Sequence, residues 1–252
     1  MKTDLIVSMH RTGHHAVAVW LLHQREGITD FSISTITRWL FVVGDDSNLY
    51  MMANNPLKTG PNEHSDKEKL PSIISEVKPS GLIITHEQDK INDTLFKAYK
   101  SPFSFNEPIV VVIRDFRNWV ASCIKMAERD NPIDSIGYMS DYIDDEKVSV
   151  YKDHLLNYDK PDCYYIIFND WATSRLYRKA ICNDLGYTFT DAAKDQLSIF
   201  GGGSSFTGMD YLKSASQMDV NNRYKEMETH PYYKMVINKY EEALNLSDNI
   251  FK

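Results

Sequence analysis

Arg11, Thr12 and Gly13, followed by His14 and His15, are residue types that together can hold an anion. The guanidinium supplies fixed positive charge and the hydroxyl a donor. A glycine turn running into a helix presents the N–H groups of Thr12 to His15. No GxxxxGK[ST] string is present and no Lys follows Gly13, so ATP phosphoryl chemistry lacks its main signature. Taken alone, a glycine turn with surface histidines meets the same pattern. Thr85-His86-Glu87 offers an imidazole and a carboxylate that could each act as a general base, or could simply end a strand. Arg114 precedes Ser122 by eight positions. Two helical turns return a hydroxyl toward the start of its helix, so both groups could grip one phosphate. The plainer alternative is an Arg114–Asp115 ion pair and a helix-face serine. Last, the glycines from Gly201 to Gly208 permit close backbone approach to a ligand, and Arg223 or Lys225 could close over it. A linker satisfies the glycines equally well.

These strings need elements to position them. Leu5-Ile6-Val7 reads as a short buried strand, Ser8 to His15 as a polar turn, and His15 to His23 as a helix. Phe31 to Ile36 reads as a second strand. Residues 44 to 65, rich in Gly, Pro, Asn and Asp, read as a long surface loop or lid. Lys67 to Val77 looks helical and Leu82 to His86 extended. Ile109 to Ile113 is continuous, β-branched and bounded by Pro108 and Arg114, the pattern of a strand buried on both faces. Helices are expected over Phe116 to Arg129, much of Asp134 to Tyr158, Thr173 to Leu185 and Tyr232 to Leu244. A strand is expected over Tyr164 to Phe168. Repeated βα units imply a parallel sheet flanked by helices, with ligands at the carboxyl ends of the strands.

Composition narrows the partners. The chain has 252 residues, 42% of them hydrophobic, enough for one packed domain. Its 28 Lys and Arg against 35 Asp and Glu give a net charge of −7. That argues against nucleic acid as a partner, because a phosphate backbone needs a basic surface. An anionic ligand must be held by a few local groups against the global field. Three cysteines are too few and scattered for a disulfide framework or a zinc site, and no metal-ligand cluster is visible in the spacing. The acidic stretch Asp141 to Glu146 reads as a solvated turn. The longest apolar run, Ala16 to Leu22, is too short to cross a bilayer, and the first residues do not read as a signal peptide. A soluble, cytoplasmic protein with no membrane partner is expected.

In combination and order, the strings resemble the sulfotransferases that use 3′-phosphoadenosine 5′-phosphosulfate (PAPS). Arg11-Thr12-Gly13-His14-His15 is similar to that family's loop for the 5′-phosphosulfate. Arg114-Asp-Phe-Arg-Asn-Trp-Val-Ala-Ser122 is similar to its 3′-phosphate string, with Arg and Ser at the family spacing. Thr85-His86 matches the strand end that carries the family's base, and Tyr165-Ile-Ile-Phe168-Asn-Asp170 a later strand end. The Gly-rich segment and Arg223 resemble the part that closes over the cofactor, residues 200 to 225. The match runs from about residue 4 to residue 225 in short strings. Four departures stand out: Ala16 where many members stack a Trp on adenine, Phe116 for Pro, Asn118 for Asp, and the absence of the family's late R-K-G string.

The resemblance implies a single α/β domain over residues 1–252, a P-loop NTPase-like three-layer sandwich. It implies transfer of a sulfuryl group from PAPS to a hydroxyl or amine, leaving 3′-phosphoadenosine 5′-phosphate (PAP). Arg11, Thr12, Gly13, His14 and His15 would hold the 5′ group, and Arg114 and Ser122 the 3′-phosphate. Phe168 or Trp171 would stack on adenine, and Arg223 would close the site. His86, then Glu87, would be the base; Arg11 and His14 would stabilise the leaving oxygen. No metal is implied, and the acceptor would be a small molecule or glycan. A small-molecule kinase on the same fold, and a non-catalytic nucleotide- or glycan-binding protein on a degenerate scaffold, are the competing expectations.

Overall fold

In the computed structural model, residues 2–30, 39–44, 49–52, 63–65, 81–93, 108–132, 139–197, 204–208, 210–211 and 214–251 are described. Strand β1 (Lys2–Ser8) lies inside a seven-stranded sheet, between β5 (Gly81–Glu87) and β6 (Ile109–Ile113), parallel to both. On one side β5 is followed by β2 (Trp39–Gly44), also parallel, then by β3 (Leu49–Met52) and β4 (Glu63–Ser65), both antiparallel. On the other side β6 pairs in parallel with β7 (Cys163–Ile167). The order is β4-β3-β2-β5-β1-β6-β7.

Helices cover both faces, and the two-residue period of the strands sorts side chains between them. Leu5, Val7, Ile109, Val111 and Ile113 join one core with α2 (Phe116–Asp130), α3 (Asp145–Leu156), α7 (Pro231–Lys239) and α8 (Glu241–Ile250). Ile6, Val110, Val112 and Ile166 join the other core with α1 (His14–Arg25), α4 (Phe168–Thr173) and α5 (Arg175–Asp184). Burial on both faces is why β6 is an unbroken aliphatic run. The chain is therefore α/β with a largely parallel sheet between helices. No helix among the described residues is long and apolar enough to cross a membrane.

Several expectations need correction. Residues 44–65 are not one loop: they contain β3 and β4, which extend the sheet edge. The apolar and aromatic Leu49-Tyr-Met-Met outweighs the turn residues around it. Strand β2, equally rich in aromatic and branched residues, went unanticipated. Phe168 begins a helix instead of ending β7. The helix expected from Thr173 is broken at Ser174, whose side chain caps the next one by accepting from Tyr177 N. The terminal helix is likewise two, α7 and α8. The acidic stretch is partly a helix start: Asp144 caps α3, with Asp145 and Glu146 in its first turn. The strand expected at Phe31 to Ile36 and the helix expected at Lys67 to Val77 lie outside the described residues.

The topology defines one crevice. From β1 the chain moves toward the β2 side, whereas from β6 it moves to β7 on the opposite side. Oppositely directed connections leave a gap at the carboxyl ends of β1 and β6. The turn after β1 and the Arg114-Asp115 step after β6 both open there.

Candidate functional site

The turn after β1 has a strained path. Arg11 adopts φ 66° and Gly13 φ 90°, both in the left-handed region. A Cβ on Gly13 would come within 2.2 Å of the Phe168 ring. Glycine is therefore needed twice over, for its dihedral and for the close approach of the aromatic ring. Thr12 is turned inward: its hydroxyl donates to the carbonyl of Met9 at 2.9 Å, so it braces the turn and does not line the crevice. Gly13 O accepts from Ala16 N, which starts α1 with its first-turn N–H groups facing outward from the helix end.

The crevice encloses a cavity of about 300 Å³. Arg11, Gly13, His14, His15, Glu87, Arg114, Ser122, Phe168 and Arg223 all line it. These residues come from five separate stretches of the chain. Arg114 is only 2% exposed. It donates to the carbonyls of Arg11 (3.2 Å) and Val220 (2.6 Å), and its buried Nε has no hydrogen-bond partner among the described residues. Its guanidinium lies 5.2 Å from the Phe168 ring centre. Burial, and then the charge of Arg11, push its pKa down to about 10 against the pull of Asp115. Arg223, at the start of the short helix α6 (Arg223–Met227), is also buried. It donates to Ser204 Oγ at 3.0 Å and lies 5.1 Å from the Phe206 ring centre. Burial, Arg114 and Arg11 together push it down to about 9. Arg11 is lowered as well, chiefly by burial. Neither Arg114 nor Arg223 has an ion-pair partner among the described residues. Arg114 and Arg223 are buried and Arg11 is half-buried; the three repel one another around one cavity, an arrangement that suits an anion.

Secondary partners hold this arrangement in place. Asp115 caps α2, accepting from Asn118 N at 2.9 Å, and the Asn118 amide donates to the same carboxylate and to Asn221 O. The Asn at 118 thus ties the turn after β6 to the segment that carries Arg223. Phe116, Trp119 and Tyr151 pack together, and Tyr151 donates to the carbonyl of Arg114 at 2.6 Å. Trp119 Nε1 donates to the carbonyl of His10 at 2.8 Å, which joins the two turns that flank the crevice. Ser122 Oγ meets Ser205 Oγ at 2.8 Å, so the late loop closes on α2.

Opposite the arginines sits a carboxylate ringed by imidazoles. Glu87 is buried, with Oε1 2.6 Å from His14 Nε2 and 3.3 Å from His15 Nε2, while Oε2 contacts His10 Nε2. Burial works to raise the Glu87 pKa, but His14 and His10 outweigh it and hold the group well below the usual carboxylate range. Burial, helped by His15, takes His14 down to about 4, so its ring is neutral at pH 7.

Most expected site residues therefore meet in one place. Between the two candidates for stacking, Phe168 lines the cavity, while Trp171 packs behind it against Trp20. Arg223 enters the site and Lys225 is exposed. His86 lies in β5 in register with Val7 and Gly44; its side chain is outside the described set. Residues 198–203 of the Gly-rich segment are likewise outside, and the part from Ser204 to Gly208 is a tight turn. Sequence reasoning missed His10, Ser204, Ser205 and Phe206 as members of the site. His10 alone carried a signal, one residue before Arg11. It also found no metal-ligand cluster, whereas His14, His15 and Glu87 bring three donor atoms within 4.8 Å of one another. The cluster was hidden because Glu87 reaches it through the pairing of β5 with β1. The chain matches no protein-family model, and no curated protein matches it significantly.

Proposed function

We propose that this protein is a sulfotransferase on a P-loop NTPase-like fold, moving a sulfuryl group from PAPS to a hydroxyl or amine. One observation carries the reading. Arg11, Arg114 and Arg223 surround one buried cavity at the carboxyl edge of a parallel sheet in an acidic chain. PAPS carries two separate anionic groups, and the cavity has two separate sources of positive charge. Arg11 and the start of α1 would take the 5′ group; Arg114 and Ser122, which line the same cavity, would take the 3′-phosphate. Phe168 lines the cavity too and would offer its face to the adenine ring.

The mechanism follows from charge. As the sulfuryl group leaves, the bridging oxygen gains negative charge. Arg11 and the N–H groups that open α1 are fixed beside it in a water-poor site. One such donor is worth about 2.7–4 kcal/mol of barrier. The acceptor must lose a proton as it attacks. His86, then Glu87, is the base in this reading; Glu87 lines the cavity with His10, His14 and His15 around its carboxylate. Arg223, held by Ser204 and Phe206, closes the site over the nucleotide. The acceptor is a small molecule or glycan.

Calorimetric titration with PAP, AMP, ADP and ATP–Mg²⁺ tests the reading. Micromolar PAP binding with strong preference over AMP supports it. Preference for ATP–Mg²⁺ replaces it with a kinase. Tight PAP binding without transfer from PAPS to any acceptor in a broad hydroxyl and amine panel leaves a nucleotide-binding protein. Absence of all binding ends the nucleotide reading.

A further inference from the structure

The pairing of β1 with β5 sets Ser8 opposite Glu87, and α1 begins six residues beyond Ser8. His14 and His15 are thereby carried to one oxygen of a buried carboxylate, at 2.6 Å and 3.3 Å. His14 Nε2 and Glu87 Oε1 are in close contact. The other nitrogen of the His14 ring also has a neighbour. Nδ1 sits 3.5 Å from Thr12 Oγ1, whose own proton is donated to the Met9 carbonyl. With a metal on Nε2 the ring proton rests on Nδ1, where the Thr12 oxygen can accept it. The Thr12–His14 contact is also the outer-shell partner that metal-bound imidazoles characteristically have.

We propose that His14 Nε2, His15 Nε2 and Glu87 Oε1 form a site for one divalent transition-metal ion of the Zn²⁺/Co²⁺ class, with its remaining coordination positions open to the arginine-lined cavity. All three donor atoms already lie within 4.8 Å of one another. Bonds of about 2.0–2.2 Å to nitrogen and oxygen set ligand atoms roughly 3.0–3.6 Å apart, so side-chain movements of about 1 Å complete the site. His10 contacts the second carboxylate oxygen and is itself held by Gln88 at 2.5 Å, which leaves Oε1 turned to the other two rings. Two imidazoles and one carboxylate suit zinc, cobalt, nickel or iron(II), and not the all-oxygen preference of Mg²⁺ or Ca²⁺. The open positions face Arg11, Arg114 and Arg223, so an anion bound there is positioned to supply the missing ligand. The site does not rest on the sulfuryl-transfer reading, and a metal on Oε1 leaves His86 as the base in that reading.

The test uses the full chain without nucleotide. Zn²⁺ is titrated by calorimetry, and Co²⁺ by its visible absorption. One equivalent of each is expected to bind, with Zn²⁺ affinity undiminished by millimolar Mg²⁺. Glu87→Gln and His15→Ala should each weaken Zn²⁺ at least tenfold. His230→Ala should leave it unchanged, because that imidazole pairs with Glu128 elsewhere on the molecule. His15 is partly exposed, so His15→Gln serves as the variant that keeps its fold, checked by circular dichroism. Absence of stoichiometric binding, or full Zn²⁺ affinity in folded His15→Gln and Glu87→Gln, overturns the proposal.

Discussion

Arg114 illustrates how much one residue is asked to do. It is buried, partnered by two carbonyls and an aromatic face, and unrelieved by any described carboxylate contact. Arg114→Ala is expected to weaken PAP by at least tenfold and AMP far less, read by calorimetry. Equal losses for both nucleotides would remove the 3′-phosphate assignment. Gly13 faces a different constraint. Gly13→Ala must carry a methyl group at φ 90° and push the Phe168 ring away. Strain and overpacking together are expected to cost about 2–5 kcal/mol in denaturant unfolding. His14 gives the pH signature. Its pKa falls from 6.5 to about 4 on folding. Between those values the unfolded chain binds a proton that the folded chain refuses, so stability is full above pH 6.5 and declines as pH falls toward 4. The expected loss is about 3 kcal/mol. Chemical unfolding from pH 7 to 4 reads it, and a His14→Gln variant should show a flatter profile over that interval.

At the scale of elements, the site depends on how the segment from Ser204 to α6 seats against α2. Ser205 meets Ser122, Asn118 donates to Asn221 O, and Val220 O accepts from Arg114. Arg223 therefore arrives in the cavity only when this segment is docked. Arg223→Ala is expected to raise the PAP dissociation rate more than it slows association, because the residue closes over a ligand already bound. Stopped-flow displacement separates the two rates; an effect confined to association would place Arg223 on the entry path instead. The strings at 11–15 and 114–122 were legible because each combines a strand end, a turn and a helix start within a few residues. Glu87 was legible as a candidate only by position. Its three imidazole partners were not, since that contact is made across two paired strands. Strand β2 was missed because its run, Trp39 to Gly44, lies beside a turn-rich stretch that dominated the local composition.

For the whole molecule, the notable balance is a net charge of −7 around an interior group of three arginines. Ligand charge should therefore stabilise the fold as a whole. PAP at about a hundred times its dissociation constant adds about 2.7 kcal/mol, and for a chain of this size that raises Tm by roughly 5–10 °C. Differential scanning calorimetry reads the shift, and AMP should produce a smaller one. No shift with saturating PAP would mean that the arginine cluster serves another anion.

The amino-acid sequence alone determined the class of the fold and the places where ligand-binding turns could form. Alternation of apolar runs with helical patterns, and polar residues at the ends of those runs, are local properties that neighbouring residues suffice to set. Only the tertiary structure decided which polar groups meet. Strand order brought the ends of β1 and β6 to one crevice, the β1–β5 register carried Glu87 to His14, and docking of the late segment delivered Arg223. Those encounters link residues up to two hundred positions apart. They follow from burying two faces of one sheet, a requirement that no short stretch of sequence contains.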